Sequence, residues 1–348
     1  MTGPVHKMLA VLSAMRRAYG LRTKRRRHLL RAFRSRKVLE AVKDRTGSIR
    51  RHDILCFMSV RNEALRLPHF LDHHRKLGVD HFLIVENDSS DDTRAYLAAQ
   101  PDVSLWHTAA SYRRSRFGLD WVTWLQMRYG HGHWTLTLDA DEILIYPYWQ
   151  TRNLRALTAW LADQGIESMG TMMLDLYPEG PLSEAQIEPG GNPLSVLQWF
   201  DAGNYTVQVQ DRMRNLWIQG GPRRRLFFGA DPRRAPTLNK IPLVRWNRRY
   251  AYVNSTHSML PPRLNEVYVT DGGERISGLL LHTKFLPEII DKSAEEKTRK
   301  QHFENSALYQ TYYDSLISDP VLWCAQSERL SGWRRLEALG LMSRGGWI

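Results

Sequence analysis

The sequence predicts an α/β fold, and three observations carry that expectation. Residues 53–60 (DILCFMSV) and 80–85 (DHFLIV) are unbroken apolar runs of strand length, the pattern of strands covered on both faces. Between them, Phe70, Leu71, His74 and Leu77 fall on one face of a helix. Strand and helix then keep alternating through the first half of the chain.

The elements follow in order. Pro68 suits a first helical turn, and Gly78 ends that helix. Strand, helix and strand at this spacing make a right-handed βαβ unit. A polar turn, Glu86 to Thr93, leads into a helix reaching about Gln100, and Val103 to His107 is a third strand. Leu119 to Tyr129 is a helix closed by Gly130 and Gly132. Trp134 to Leu138 is a fourth strand, running into Asp139-Ala140-Asp141-Glu142. Asn153 to Gln164 is a helix stopped by Gly165, and Met169 to Leu176 is another strand. Pro178 to Pro193 is a long Pro- and Gly-rich loop, after which the pattern becomes irregular. Ser277 to Phe285 is a late strand, and Pro287 to about Tyr313 is mostly helical.

With 348 residues, 43% of them hydrophobic and 24% charged, the chain can bury a large core. Collagen-like, coiled-coil and wholly disordered readings are excluded. Two cysteines, Cys56 and Cys324, exclude a disulfide framework and a cysteine-based zinc site, which fits a reducing compartment. His69 and His73 have a zinc-like spacing on their helix, but no third ligand completes a site, so helix packing is expected of them.

The net charge of +13 is uneven. Residues 1–51 hold 16 Lys and Arg against Glu40 and Asp44, which is +14, so the remainder carries −1. Val5, Met8, Leu9, Leu12 and Met15 lie on one helical face. This arm is too short in apolar residues to span a bilayer. It suits an anionic membrane surface, with Lys24, Arg25, Arg26 and Arg27 at the headgroups. A solvated arm, a helix docked on the body, and a transit peptide are the other readings. The expected location is cytoplasmic, peripheral on the inner face of the membrane.

Asp139 and Asp141 are the strongest chemical signal. Residues two apart in a strand face one side, so two carboxylates are expected to converge at a strand's carboxyl end, where α/β proteins bind ligands. Hard oxygen donors there suit Mg²⁺ or Mn²⁺ left open to phosphate oxygens.

Three segments then stand in an informative order: Ser59-Val60-Arg61-Asn62-Glu63, the turn Glu86 to Thr93, and Leu138 to Glu142. With His73, His74, Leu77 and Gly78, and a late Leu280-Leu281-His282-Thr283-Lys284-Phe285, they resemble the family 2 glycosyltransferases of GT-A fold over about residues 53–303. The resemblance implies a mostly parallel central sheet and a nucleotide-sugar donor, UDP-linked by first preference. It places Arg61, Glu63 and Asn87 in the nucleotide pocket. Asn87 stands where the wider family has an Asp, which leaves GDP or another nucleotide open. Asp139 joins both the donor and metal sites. Asp141 and His282 complete the metal site, with His257 as the rival histidine.

Gly220-Gly221-Pro222-Arg223-Arg224-Arg225 is a turn whose guanidiniums suit a leaving diphosphate. Arg223 and Arg225 are the donor-binding candidates there, with Lys240 and Lys284 behind them. An inverting transfer needs a carboxylate base. Asp175 at a strand end is the first choice, with Glu179 and Asp211 as alternatives. The expected organisation is a basic arm at 1–51, a GT-A-like domain at 52–305 and a helical extension at 306–348. The expected acceptor is a polysaccharide, a lipid-linked glycan or another glycan. A metal-dependent nucleotidyltransferase is the enzymatic rival, and a basic nucleic-acid-binding protein the non-enzymatic one.

Overall fold

A computed structural model describes residues 4–268, 274–299 and 310–348. Strands β1 (Glu40–Lys43), β2 (Leu55–Val60), β3 (His81–Glu86), β4 (Val103–His107), β5 (Trp134–Thr137), β6 (Glu142–Ile145) and β7 (Ser168–Asp175) come first. Then follow β8 (Trp199–Asp201), β9 (Thr206–Gln210), β10 (Asn215–Gln219), β11 (Asn239–Arg245), β12 (Ala251–Tyr252), β13 (Met259–Leu260), β14 (Ser277–His282) and β15 (Ser327–Arg329). The helices are α1 (Pro4–Ser35), α2 (Leu67–Leu77), α3 (Thr93–Ala99), α4 (Leu119–Tyr129), α5 (Leu154–Asp163), α6 (Glu288–Arg299), α7 (Gln310–Ile317) and α8 (Trp333–Ala338). Part of the helical stretch expected up to Tyr313, and the expected boundary at 305, lie outside the described residues.

The fold is α/β around one nine-stranded sheet in the order β1-β4-β3-β2-β5-β11-β7-β14-β6. Strands β2, β3, β4, β5, β7 and β14 run one way, and β1, β11 and β6 run against them. The sheet is therefore mostly parallel, as expected. From β2 the chain steps outward to β3 and β4, then returns to β5 on the other side of β2. That reversal opens a crevice at the carboxyl ends of the strands.

The apolar run of β2 serves two cores, which is why it does not alternate with polar residues. Cys56, Met58 and Val60 belong to the core shared with α2 and α5, while Leu55 and Phe57 join Trp121, Val122 and Leu125 of α4. Gly78 takes φ +100° at the end of α2, a conformation that needs no Cβ. Asn153 caps α5 by accepting the Ala156 N–H at 3.1 Å.

Two elements depart from expectation. Residues 40–43 add an edge strand to the sheet, antiparallel to β4, so this part of the basic segment belongs to the main fold. The acidic motif is a short turn, Asp139 to Asp141, from which Glu142 opens β6, an unexpected opposite edge strand paired with β14. The histidines of α2 hold that edge. His73 Nε2 donates to the Leu144 carbonyl at 2.8 Å, and His74 Nε2 accepts the Leu144 N–H at 3.4 Å. His74 Nδ1 donates to the Phe70 carbonyl at 2.8 Å.

Both histidines must stay neutral there, and this has a pH consequence. Burial pushes His73 down to about 4 and His74 well below the usual histidine value. Between those values and about 6.5 the unfolded chain binds protons that the folded chain refuses. Stability should therefore fall as pH drops below about 6.5, by about 1.4 kcal/mol per pH unit for each such histidine. His282, shifted upward, is protonated in both states across that window and does not offset the loss, whereas Glu142, raised by burial to about 7, offsets the fall from one of the two histidines and leaves a net loss. Thermal midpoints at pH 7, 6 and 5 check this; a flat profile would refute it.

Candidate functional site

Two features share the carboxyl-end edge of the sheet. The first is a cavity of about 270 Å³ lined by Arg61, Asn87, Asp88, Ala109, Ala110, Ser111 and Tyr112. These residues directly follow β2, β3 and β4. Asn87 Nδ2 donates to the Thr108 and Ala110 carbonyls at 2.8 and 3.1 Å. Two carbonyl acceptors fix the amide's orientation and leave its oxygen outside both bonds. Arg61 Nη1 donates to the carbonyls of Asn87 and Asp88 at 3.1 and 2.6 Å. Beneath the turn, Glu86 is fully buried. It accepts from the Ser89 N–H, from Arg94 Nε at 2.9 Å and from His107 Nδ1 at 2.8 Å. Despite burial, the Ser89 N–H, His107 and Arg94 hold its carboxyl below the ordinary value.

Glu63 does not line this cavity. It bridges Arg66 Nη1 at 3.1 Å and Lys292 Nζ at 2.6 Å, tying the start of α2 to α6. Asn62 of the same motif joins the two loops, because its Oδ1 accepts the Ser90 N–H at 2.8 Å.

The second feature is a cluster of carboxylates and cations. Asp139 and Asp141 lie in a turn after β5, closed by Glu142 N–H to the Asp139 carbonyl at 3.1 Å. Strand alternation therefore does not place them, which corrects the expectation, and their carboxylates take different partners. Asp139 Oδ2 meets Lys240 Nζ at 2.9 Å, and Lys240 also meets Glu142 Oε1 at 2.6 Å. Burial alone would discharge Lys240, but Asp139 and Glu142 raise its pKa. Glu142, the deeper acid, is pushed up by burial to about 7. Lys240 reaches this edge because β11 runs antiparallel and begins here.

Asp141 Oδ2 lies 3.1 Å from His282 Nε2, and His282 Nδ1 lies 2.6 Å from Asp175 Oδ1. Asp175 Oδ2 accepts from Arg223 Nε at 2.7 Å. The chain Asp141–His282–Asp175–Arg223 thus joins the β5–β6 turn, the ends of β14 and β7, and the Gly-rich turn. Register explains its core, since His282 stands directly beside Asp175 in the β14–β7 ladder. Burial opposes the charge on Asp141, but His282, Arg66 and Lys284 hold its carboxyl well below the ordinary value. His282 is shifted up by Asp141 and Asp175 against its own burial. Asp175 is brought down to about 2 by Arg223 and His282, again against burial. Asp175 is buried, and its two oxygens are taken by His282 and Arg223, which leaves neither directed at an acceptor hydroxyl. Glu179 and Asp211, the alternatives, are exposed.

The three arginines of the Gly-rich turn separate. Arg223 points inward and is 5% exposed, and its buried Nη2 has no hydrogen-bond partner. Arg225 grips Asp201 with two bonds of 2.9 Å, and Tyr177 donates to the same carboxylate at 2.6 Å. Arg224 is turned to the Asn204 carbonyl and the Thr206 hydroxyl. Lys284 lies beside Arg223, and burial followed by Arg223 pushes it down to about 8. His257, the rival histidine, is committed to the Asn239 carbonyl at 2.6 Å. Arg66 is a member of the cluster that sequence reasoning misses. It is 4% exposed, and its charge acts on Asp141; the only sequence signal is a basic residue three positions after Glu63.

Among the described residues, no three His, Cys, Asp or Glu side chains are grouped as a metal site. The donors that do face each other, Asp141 Oδ2 and His282 Nε2, suit Mn²⁺ or Mg²⁺ only as a partial set. A cation held by them would take its other oxygens from a diphosphate and water, the habit of open phosphate-binding sites.

No protein-family model matches the chain, and no curated protein matches it. Among solved structures, TarS of S. aureus is similar at 11% identity over 36% of this chain and 21% of that one, with TM-score 0.26. The UTP-bound UGPase from Acinetobacter baumannii is similar at 9% identity over 77% and 84%, with TM-score 0.29. A putative glucose-1-phosphate thymidylyltransferase from Bacillus anthracis, in complex with a sucrose, is similar at 9% identity over 83% and 95%, with TM-score 0.30. Likenesses this distant leave the function to be argued from the site.

Proposed function

We propose that the chain is a metal-dependent glycosyltransferase acting on a nucleotide-sugar donor. The observation that carries this reading is the placement of a base-sized cavity and a carboxylate–cation cluster on one edge of the sheet. The cavity takes the base and ribose, where the Asn87 oxygen accepts an imide N–H such as that of uracil. The diphosphate extends toward Asp141 and His282. A divalent cation bound there would neutralise the charge that develops on the leaving diphosphate. Arg223 presents its unpartnered Nη2 to the same oxygens, and Lys284 adds a second positive charge in a poorly solvated setting. Lys240 holds the Asp139–Glu142 turn in shape, and Asp175 orients His282. Arg225 braces Asp201 rather than the donor. The acceptor is a glycan or a lipid-linked glycan.

A thermal-shift screen of UDP, GDP, CDP and dTDP with and without Mn²⁺ tests the reading. One diphosphate, UDP by first preference, should stabilise the chain only with the metal, by about 2.7 kcal/mol at a hundredfold excess over its dissociation constant. No stabilisation by any of them would refute it. Turnover should release the nucleoside diphosphate; release of pyrophosphate would instead identify a nucleotidyltransferase.

A further inference from the structure

We infer that α1 is an interfacial helix that lays one face on a bilayer bearing anionic headgroups. This goes beyond the enzymatic reading and does not depend on it. The helix has two distinct faces. Leu21, Arg25, His28, Ala32 and Ser35 succeed one another at steps of three and four and are buried or partly buried, as are Thr23 and Leu29 beside them. They turn toward the body. Ser35 Oγ donates to the Asp120 carbonyl at 3.0 Å, and from beside this face Arg31 Nε donates to Asp120 Oδ2 at 3.1 Å. These bonds fix the C-terminal half of the helix on α4.

The other face is exposed along its N-terminal half, while toward the C-terminal end Phe33 meets the Trp124 ring of α4 edge-on at 5.7 Å. Val11, Met15 and Tyr19 succeed one another at steps of four with Leu12 beside them, and Arg22 and Arg26 continue the line toward Leu30. Val11, Leu12, Met15 and Tyr19 are 58%, 54%, 64% and 69% exposed, and Leu30 and Phe33 are 48% and 44% exposed. Solvent gives no reason for four neighbouring exposed apolar side chains, Val11, Leu12, Met15 and Tyr19, on a helix already anchored by its other side. Arg16, Arg27 and Arg34 run along its border, all exposed. They stand at headgroup height if the stripe enters the interface.

Charge selects the occupant. The helix carries ten Lys and Arg and no acid. A second copy of the same face would meet like charge. A nucleic acid would satisfy the arginines but leave the apolar side chains unmatched. An anionic bilayer satisfies both. Among the described residues no helix is long and apolar enough to cross a membrane, so the contact is one of surface.

Vesicle co-sedimentation of the full chain tests this, comparing phosphatidylcholine with phosphatidylcholine containing about 30% phosphatidylglycerol. The chain should bind the anionic vesicles, and raising salt from about 0.1 M to 0.5 M should weaken the binding. Two paired variants separate insertion from charge alone. Met15→Asp with Tyr19→Asp places two acids in the stripe. Ser13→Asp with Gly20→Asp adds the same charge on the opposite face, where a Cβ at Gly20 meets nothing. The first pair should weaken binding by about tenfold or more, the second far less. All four positions are exposed on α1, so an unchanged thermal midpoint is expected of both pairs.

Equal losses from both pairs would overturn the inference, as would equal binding to neutral vesicles or none to either. A dimer in sedimentation velocity that the stripe variants dissolve, without vesicle binding, would assign the face to a second copy. Duplex DNA binding without vesicle binding would assign it to nucleic acid.

Discussion

Asp141→Ala is expected to abolish turnover and the Mn²⁺-dependent binding of a nucleoside diphosphate while leaving the fold intact. The two halves of that expectation rest on different atoms. What the substitution removes is the carboxylate that faces His282 at 3.1 Å. His282 alone does not hold a hard cation against water. Loss of activity should be at least about a hundredfold, since even outer-shell partners of metal sites act on that scale. What the substitution spares is the backbone. The Asp141 carbonyl accepts from the Thr283 N–H at 2.8 Å and from the Thr283 hydroxyl at 3.1 Å, and Glu142 N–H closes the turn. Alanine keeps all three bonds. A cooperative thermal transition with no response to nucleotide and Mn²⁺ is the expected pair of results. Full activity in the variant, or of the native chain in excess EDTA, would remove the metal from the mechanism.

Asp141 is legible in the amino-acid sequence and most of its neighbours are not, and the difference follows from where each lies. Strands covered on both faces announce themselves as apolar runs, and β2, β3 and β14 are legible for that reason. The acidic motif stands out because a buried strand delivers it. Lys240 is 101 positions from Asp139, and its strand, NKIPLVR, contains Pro242. Proline ordinarily excludes a central strand. Here the ladder to β7 shifts register between Lys240 and Leu243, and the proline sits inside that irregularity. β1, with the sequence EAVK, is mostly exposed, as is β9. Neither carries the periodicity that burial writes into a sequence. The Gly-rich turn is visible as three arginines, but only packing sends Arg223 to Asp175 and Arg225 to Asp201. Arg66 has no local signal beyond its spacing from Glu63, because its meaning depends on Asp141 being folded against it.

The assignment of Asp175 is where the expectation drawn from its place at a strand end and the geometry part most sharply, and Asp175→Asn separates them. Asp175 accepts the His282 Nδ1–H through one oxygen and the Arg223 Nε–H through the other. Asparagine retains a single side-chain acceptor. Arg223 can only donate, so the amide oxygen goes to Arg223 and the amide NH₂ faces His282. Imidazole then accepts at Nδ1 and carries its proton on Nε2, the nitrogen directed at Asp141. That tautomer has no lone pair for a cation. Mn²⁺ affinity in the presence of UDP should therefore fall by about 10- to 100-fold, as read by titration calorimetry or by the spectrum of free Mn²⁺. Activity should recover in part when the metal is raised. Removing the charge opposite Arg223 also weakens a buried pair, whose outright loss costs about 3–5 kcal/mol. A lowered but cooperative midpoint is expected alongside. A general base would behave differently: turnover lost at every metal concentration, with Mn²⁺ affinity unchanged. That outcome would return Asp175 to the chemistry and take it away from the histidine.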